Sequence, residues 1–428
     1  MSSLTKFFSS NSSLISIAIP AAILILVVVL LIRDQRTAQT QTLNSRDVMN
    51  LAETLVAHNS GDSMKETDAM MMTENTGHVM DETESMDNMQ GSMGMMNEEG
   101  NMGDVHDSMG MMNMDTNFSP PEAARTYAYV ATMYYEVLAR GGGKEEATIA
   151  ATRILRQMYP NMSDEIDSFL KEKHLNTDTS FSPSVRDTVT ALLLREKDEH
   201  EQPMRHVTPP EGSNHWQGND PIGLDALQWN QWILNKSYLS SLDVPPAEAS
   251  AKQRNALSEV VSATQNRTPE QSAEINFWSG MYMSPGLAGI WQDVLFGTIG
   301  QKNLSDEQYA FAQMILAQAV LDTYIQVWDA KYTFWTKRPS TYDQNVAITM
   351  VDPRYPSYIS EYATVGTVAS NILTALFPKE KGVWLSNAES SSQIGVWAGC
   401  AFPYDETSGA KFGTLLSEEI LSSLSISK

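Results

Sequence analysis

The 428-residue chain has a single cysteine, Cys400. No internal disulfide can staple it, and its thiols say nothing of the redox compartment. Basic residues are scarce: 29 Lys and Arg stand against 52 Asp and Glu, a net charge of −23. A field of that sign repels phosphate backbones and anionic headgroups, which argues against nucleic acid as a partner. Histidine stops early, since none of the seven lies beyond His215. No Gly-rich phosphate loop, CxxC pair or Ser-His-Asp arrangement is visible. A cysteine phosphatase needs an arginine six residues after its nucleophile, and that position holds Glu406. Cys400 therefore reads as a small buried apolar residue. Also missing is any alternating Val/Ile-rich segment long enough for a sheet, so the class is all-α.

What is present divides the chain into four parts. Residues 1–13 form a short polar N-terminus. Residues 14–32 are an uncharged apolar run of 19, enough to span a bilayer as a helix. The run exceeds a usual signal-peptide core and no small-x-small site follows closely, so we expect a retained membrane anchor. Residues 33–117 read as a disordered, acidic, Met-rich tether, with a short helix near 48–57 as its one periodic stretch. Between Asp62 and Asp115 lie 15 of the 25 methionines, 13 acids and one Lys, and Ser-Met-Gly-Met-Met-Asn occurs twice. Thioether sulfur selects soft cations, so Met93, Met95, Met96, Met109, Met111 and Met112, with His78 and His106, are candidate Cu(I) ligands. A plain flexible spacer is the competing reading.

Residues 118–428 carry helix punctuation throughout. Ser119 is a candidate N-cap before Pro120, Pro121 and Glu122, and Gly141-Gly142-Gly143 closes that helix. Further helices are expected over 145–158, 163–173, 182–197, 221–234, 269–279, 287–299, 305–335, 360–376 and 405–424. Ser305 and Gln308 form a capping pair. The nine tryptophans read as core and inter-helix filler. His200, His206 and His215, near Asp198 and Glu199, read as a solvated loop rather than a metal site. Asn-x-Ser/Thr sequons begin at Asn117, Asn161, Asn235, Asn266 and Asn303, compatible with an exported, glycosylated surface.

The segment around which the domain is organised runs from Trp328 to Pro339. Lys331 and Arg338 stand seven apart at the end of the longest apolar-periodic helix, where they can converge on a tetrahedral oxyanion. The Lys-x6-Arg-Pro pattern resembles the first anion-binding motif of the vanadium haloperoxidase and type-2 phosphatidic acid phosphatase superfamily. The Trp-Asp-Ala-Lys-Tyr run from Trp328 is similar to its exported haloperoxidase-like branch. Asn276 to Gly280, Tyr355 to Ser360 and Gly395 to Phe402 extend the resemblance from about residue 118 to the C-terminus.

That resemblance implies two four-helix units enclosing an anion pocket. It also implies a Ser-Gly-His second motif and an Arg-x5-His third motif, whose final His binds vanadate or becomes phosphorylated. Here the matching residues are Ser360, Glu361 and Tyr362, then Gly395 and Ala401. Lys331, Arg338 and Ser360 remain as a partial oxyanion pocket, with the Glu361 charge beside it repelling phosphate or vanadate. The site is read as degenerate.

Orientation draws opposite indications. Lys6 before the span and Arg33, Arg36 and Arg46 after it favour a cytoplasmic C-terminal domain. The acidic segment and the exported branch favour an external one, and a single-pass protein with an extracytoplasmic domain is the expectation adopted. Three functions stay open: a membrane-anchored, catalytically degenerate interaction module with a protein partner; a divergent haloperoxidase or phosphatase in which Tyr362 donates the proton; and copper handling by the tether. Whether the domain is an enzyme stays undecided, with the balance against. No resident cofactor is expected, vanadate included, and Cu(I) belongs only to the tether.

Overall fold

The computed structural model describes residues 43–74 and 119–426, apart from 179, 204, 206, 213–214, 280–284, 301 and 351; over 60–74 it describes the backbone alone. The expected anchor at 14–32 lies outside the described residues. So do Met93, Met95, Met96, Met109, Met111, Met112, His78 and His106. Among the described residues no helix is long and apolar enough to cross a membrane.

Twelve α-helices and no strands occur among the described residues. They are α1 (Ser45–Glu74), α2 (Pro120–Ala139), α3 (Lys144–Met158), α4 (Ser163–Glu172), α5 (Pro183–His200) and α6 (Ala251–Gln265), then α7 (Pro269–Trp278), α8 (Gly286–Ile299), α9 (Asp306–Phe334), α10 (Glu361–Leu376), α11 (Lys381–Trp397) and α12 (Pro403–Ser423). The axis is α9. Ser305 accepts from Gln308 N at 3.2 Å while the Gln308 side chain accepts from Ser305 N, closing the expected capping box. From Ala312 to Trp328 every residue of α9 is buried, which marks a helix enclosed on all sides. One flank of α9 packs on α2, the other on α10. Around α2 gather α1, α3, α5 and α8, and around α10 gather α11 and α12. The two halves thus share one helix. Trp278, Trp291, Trp328 and Trp384 are fully buried and the other five pack in or against the same core, as core filler should.

Four expectations need correction. The stretch 221–234 forms only a short 3-10 turn, Leu224–Gln228. Its periodicity is overridden by Asp322 on α9, whose carboxylate accepts from the backbone N–H groups of Trp232, Ile233 and Leu234 at 2.7, 2.7 and 2.8 Å. Donors captured by a buried carboxylate cannot serve a helix ladder. Gly223, at φ +76°, lets the chain pass the Trp328 indole, which would lie 2.2 Å from a Cβ there. Helices α6 and α11 were not expected, because each buries only a narrow set of residues, Gln253, Ala256, Val260 and Thr264 in α6. A mostly polar face leaves little period to read.

The tether boundary also moves. Val48, Met49, Ala52, Leu55 and Val56 of α1 join the main core, against α2. Arg46, buried, bonds Glu53 and Asp293 and lies over the Phe296 ring. Residues 45–57 therefore belong to the folded domain.

Candidate functional site

Helix α9 ends at Trp335, which caps it in the left-handed region at φ +50°. Its indole is buried between Trp216 and Tyr332, with ring centroids 6.2 and 5.2 Å away. That packing offsets the roughly 1 kcal/mol an L-residue loses in this conformation. The stop leaves Lys331 in the last helical turn. Pro339 then forces Arg338 into extended backbone, φ −87° and ψ 158°, and turns its guanidinium toward the 355–360 loop.

Both cations are buried, Lys331 at 0% and Arg338 at 3% exposure. Lys331 Nζ meets four oxygens: the carbonyls of Pro356, Ser357 and Ile359 at 3.2, 2.9 and 2.7 Å and Glu361 Oε2 at 2.9 Å. Arg338 donates from Nε and Nη2 to the Tyr355 carbonyl at 3.1 and 2.9 Å, and from Nη1 to the Cys400 carbonyl at 2.7 Å. Three ammonium hydrogens facing four acceptors are fully engaged. Thr336 secures the same loop, its carbonyl accepting from Ser357 N at 3.0 Å and its hydroxyl from Tyr358 N at 2.7 Å.

Ser360 is the N-cap of α10. Its hydroxyl accepts from Ala363 N at 3.2 Å, and its N–H donates to the Asp405 carbonyl at 3.2 Å. Glu361 begins the helix with its carboxylate turned inward, Oε1 accepting from the Tyr355 hydroxyl at 2.7 Å. Burial alone would raise this carboxyl, but Lys331 and Arg338 hold it below the usual carboxylate range. Burial pulls the Lys331 ammonium down, against the opposing pull of Glu361. Tyr362 follows, its phenol pushed up by burial and then by the Glu361 charge.

The third segment closes the site. The N–H groups of Cys400 and Ala401 donate to the Gly395 carbonyl at 2.9 and 3.1 Å. A Cβ on Gly395 would lie 2.8 Å from the Ala401 methyl and 3.1 Å from Glu406 Oε1. Glu406 accepts from Val396 N at 2.9 Å, and burial raises its carboxyl well above the usual range. Asp405 accepts from the Ser357 hydroxyl at 2.5 Å and from Phe402 N at 2.9 Å, and burial pushes it up to about 6. Cys400 is buried, its thiol pushed up to about 12 by burial, as an inert core residue should be.

The structure thus gathers Lys331, Arg338, Ser360, Tyr362, Gly395 and Ala401 into one region, as the motifs implied. The expectation there is a partial oxyanion pocket of Lys331, Arg338 and Ser360 with a repelling Glu361 beside it. The Lys331 and Arg338 donors face backbone carbonyls, and Glu361 is bonded to Lys331 instead of standing off as a repelling charge. Tyr355, Ser357, Asp405 and Glu406 take part without having been given a role in advance. Asp405 and Glu406 carry a local signal, as acids in the first turn of the helix that Pro403 begins. Glu199 is engaged by Arg125, Arg195 and Tyr129, and His206 lies outside the described residues. Among those residues no group of three His, Cys, Asp or Glu is placed to hold a metal.

No protein-family model and no curated protein matches the sequence. Solved structures do. A bacterial vanadium-dependent iodoperoxidase superposes with a TM-score of 0.59 at 19% identity, over 72% of this chain and 91% of that one. Apo and holo forms of a bacterial vanadium-dependent chloroperoxidase give 0.54 at 14% identity, over 71% of this chain and 92% and 91% of theirs. The fold is that of the vanadium haloperoxidases. Within this haloperoxidase fold, the loop 355–360 and the turn 398–402 meet over the end of α9, joined there by Arg338.

Proposed function

We propose that this is a haloperoxidase-fold domain without oxyanion chemistry, carried on a membrane by residues 14–32 with the domain outside, and serving as a binding or assembly module. The observation that carries this reading is the buried Lys331–Glu361 pair at 2.9 Å, with the neighbouring donors turned onto carbonyls. An oxyanion site needs convergent donors that the protein leaves free. Vanadium, named for the similar structures, does not fit these residues as vanadate. It would have to displace Glu361 and would then face the Pro356, Ser357 and Ile359 carbonyls, lone pair against lone pair. Ala401 offers a methyl where the superfamily motif places a histidine, and Gly395 offers no side chain. Tyr362, with its phenol raised, is poorly matched to general-acid work near neutrality.

Phosphatase and halide-oxidation assays on the full chain in detergent, with and without added orthovanadate, test the proposal. Turnover no higher than that of Lys331→Met is expected. Clear turnover by the native chain, lost in that variant, would overturn it. A second reading, a divergent haloperoxidase or phosphatase acting on halide or phosphate esters, draws on the fold likeness to the iodoperoxidase. It requires Glu361 to leave Lys331, and the same assays decide.

The Met-rich segment adds a second proposed activity, Cu(I) binding by thioethers, supported by the repeated Ser-Met-Gly-Met-Met-Asn. Titration of the full chain with Cu(I) against a competing chelator should show stoichiometry that falls when Met93, Met95, Met96, Met109, Met111 and Met112 are replaced. Unchanged stoichiometry removes the idea.

A further inference from the structure

We propose that the recess formed by Lys331, Tyr355 and Arg338 is a carboxylate-binding site whose resident ligand is the side chain of Glu361. The inference rests on the reading of the site as filled and names the chemistry that fills it. Each carboxylate oxygen has its own donor: Lys331 Nζ at 2.9 Å on Oε2 and the Tyr355 hydroxyl at 2.7 Å on Oε1. Arg338 adds positive field from behind without bonding the carboxylate. Glu361 is also the first residue of α10, so the N-terminal end of the helix dipole favours its charge.

The surroundings select a planar, two-oxygen anion. The carbonyls of Pro356, Ser357 and Ile359 share the Lys331 ammonium. A tetrahedral oxyanion would direct further oxygens at them, whereas a carboxylate has none left over. The groups acting on this carboxylate are Lys331 and Tyr324 of α9, Arg338 and Tyr355 of the following loops, Tyr362 of α10 itself and Cys400 beyond α11; Asp405 of α12, packed against α10, acts on the same two cations. Two of them are cations, and among the described residues the next acid, Asp352, stands 3.8 Å from Arg338, while Glu361 is 2.9 Å from Lys331.

Truncation gives a direct test. Glu361→Ala removes a CH₂–COO⁻ fragment, which is acetate less one hydrogen. In the full-length protein, acetate should raise the melting temperature of Glu361→Ala by about 2 °C or more over the same concentration of chloride. Wild type and the isosteric Glu361→Gln, where no space is opened, should not respond. Rescue by phosphate or orthovanadate in preference to acetate would overturn the selectivity. Absence of rescue by any anion would overturn the site. If Glu361→Ala does not fold, the pH dependence of unfolding in wild type and Glu361→Gln decides instead. The wild-type advantage should persist down through the ordinary Glu value of 4.5, because the depressed carboxyl stays charged there; an advantage already gone above it contradicts the proposal. Turnover by the wild type would sink the non-catalytic reading, while failed rescue sinks only the carboxylate site.

Discussion

One buried arginine-containing cluster in each half of the molecule, around Arg125 and around Arg338, invites comparison, and the two are built differently. In the first half, Arg125 of α2 bonds Glu196 of α5 at 2.9 Å and stands 3.5 Å from Glu199. Its guanidinium stacks over Tyr129 and Trp229 at 5.1 Å, and Arg195 takes the remaining Glu199 oxygen at 3.0 Å. Two cations meet two carboxylates. In the second half, Lys331 and Arg338 meet one buried carboxylate, a half-exposed one (Asp352, 3.8 Å from Arg338) and five backbone carbonyls, those of Tyr355, Pro356, Ser357, Ile359 and Cys400. The first cluster fastens helix to helix. The second fastens irregular backbone to the end of α9. Cations that could have bound an external ligand instead hold a loop.

If this difference is real, the largest effect belongs to Lys331→Met. It leaves Glu361 buried without its partner and frees three carbonyls, so a loss of about 5 kcal/mol is expected, read by urea unfolding. Arg125→Met should cost less, about 3 kcal/mol, because Arg195 still bonds Glu199 and Gln157 still donates to Glu196. Equal losses would erase the contrast. Gly395→Ala drives a methyl against Ala401 and Glu406 and should cost about 1–3 kcal/mol by overpacking. A neutral result would mean the third segment is loosely packed.

The smallest effect concerns pH. Asp405 in the folded protein holds its proton up to about 6, against 3.8 ordinarily. Its contribution is therefore fully present below pH 3.8 and is lost as pH rises through 6. Glu361 runs the other way: its stabilisation is present above 4.5 and lost as pH falls through its depressed value. Asp405→Asn should thus gain on wild type between pH 4 and 6 in unfolding experiments. Asp322, also pushed up to about 6 by burial, is common to both proteins and cancels. A difference that does not change with pH contradicts the assignment.

Much of the architecture was legible because local signals coincide with tertiary need. Ser305 with Gln308, and Ser119 with Pro120, mark helix starts that the fold keeps. The spacing of Lys331, Arg338 and Pro339 marked two cations that the fold brings onto one loop. Where reading failed, a distant residue decided. Asp322 dissolves the 221–234 helix from another element, and nothing near residue 221 announces it. Glu361 beside Ser360 reads as a charge that repels anions; only the approach of α9 reveals that it binds the lysine. A carboxylate near a cation can exclude a ligand or replace it, and sequence separation hides which.

The central claim is that Lys331 and Arg338 are satisfied from within. A ⁵¹V NMR titration of the wild-type chain with orthovanadate tests it most directly. The account predicts that the free-vanadate signal tracks total vanadate at every protein concentration. Saturable loss of that signal, reversed by phosphate, would contradict it.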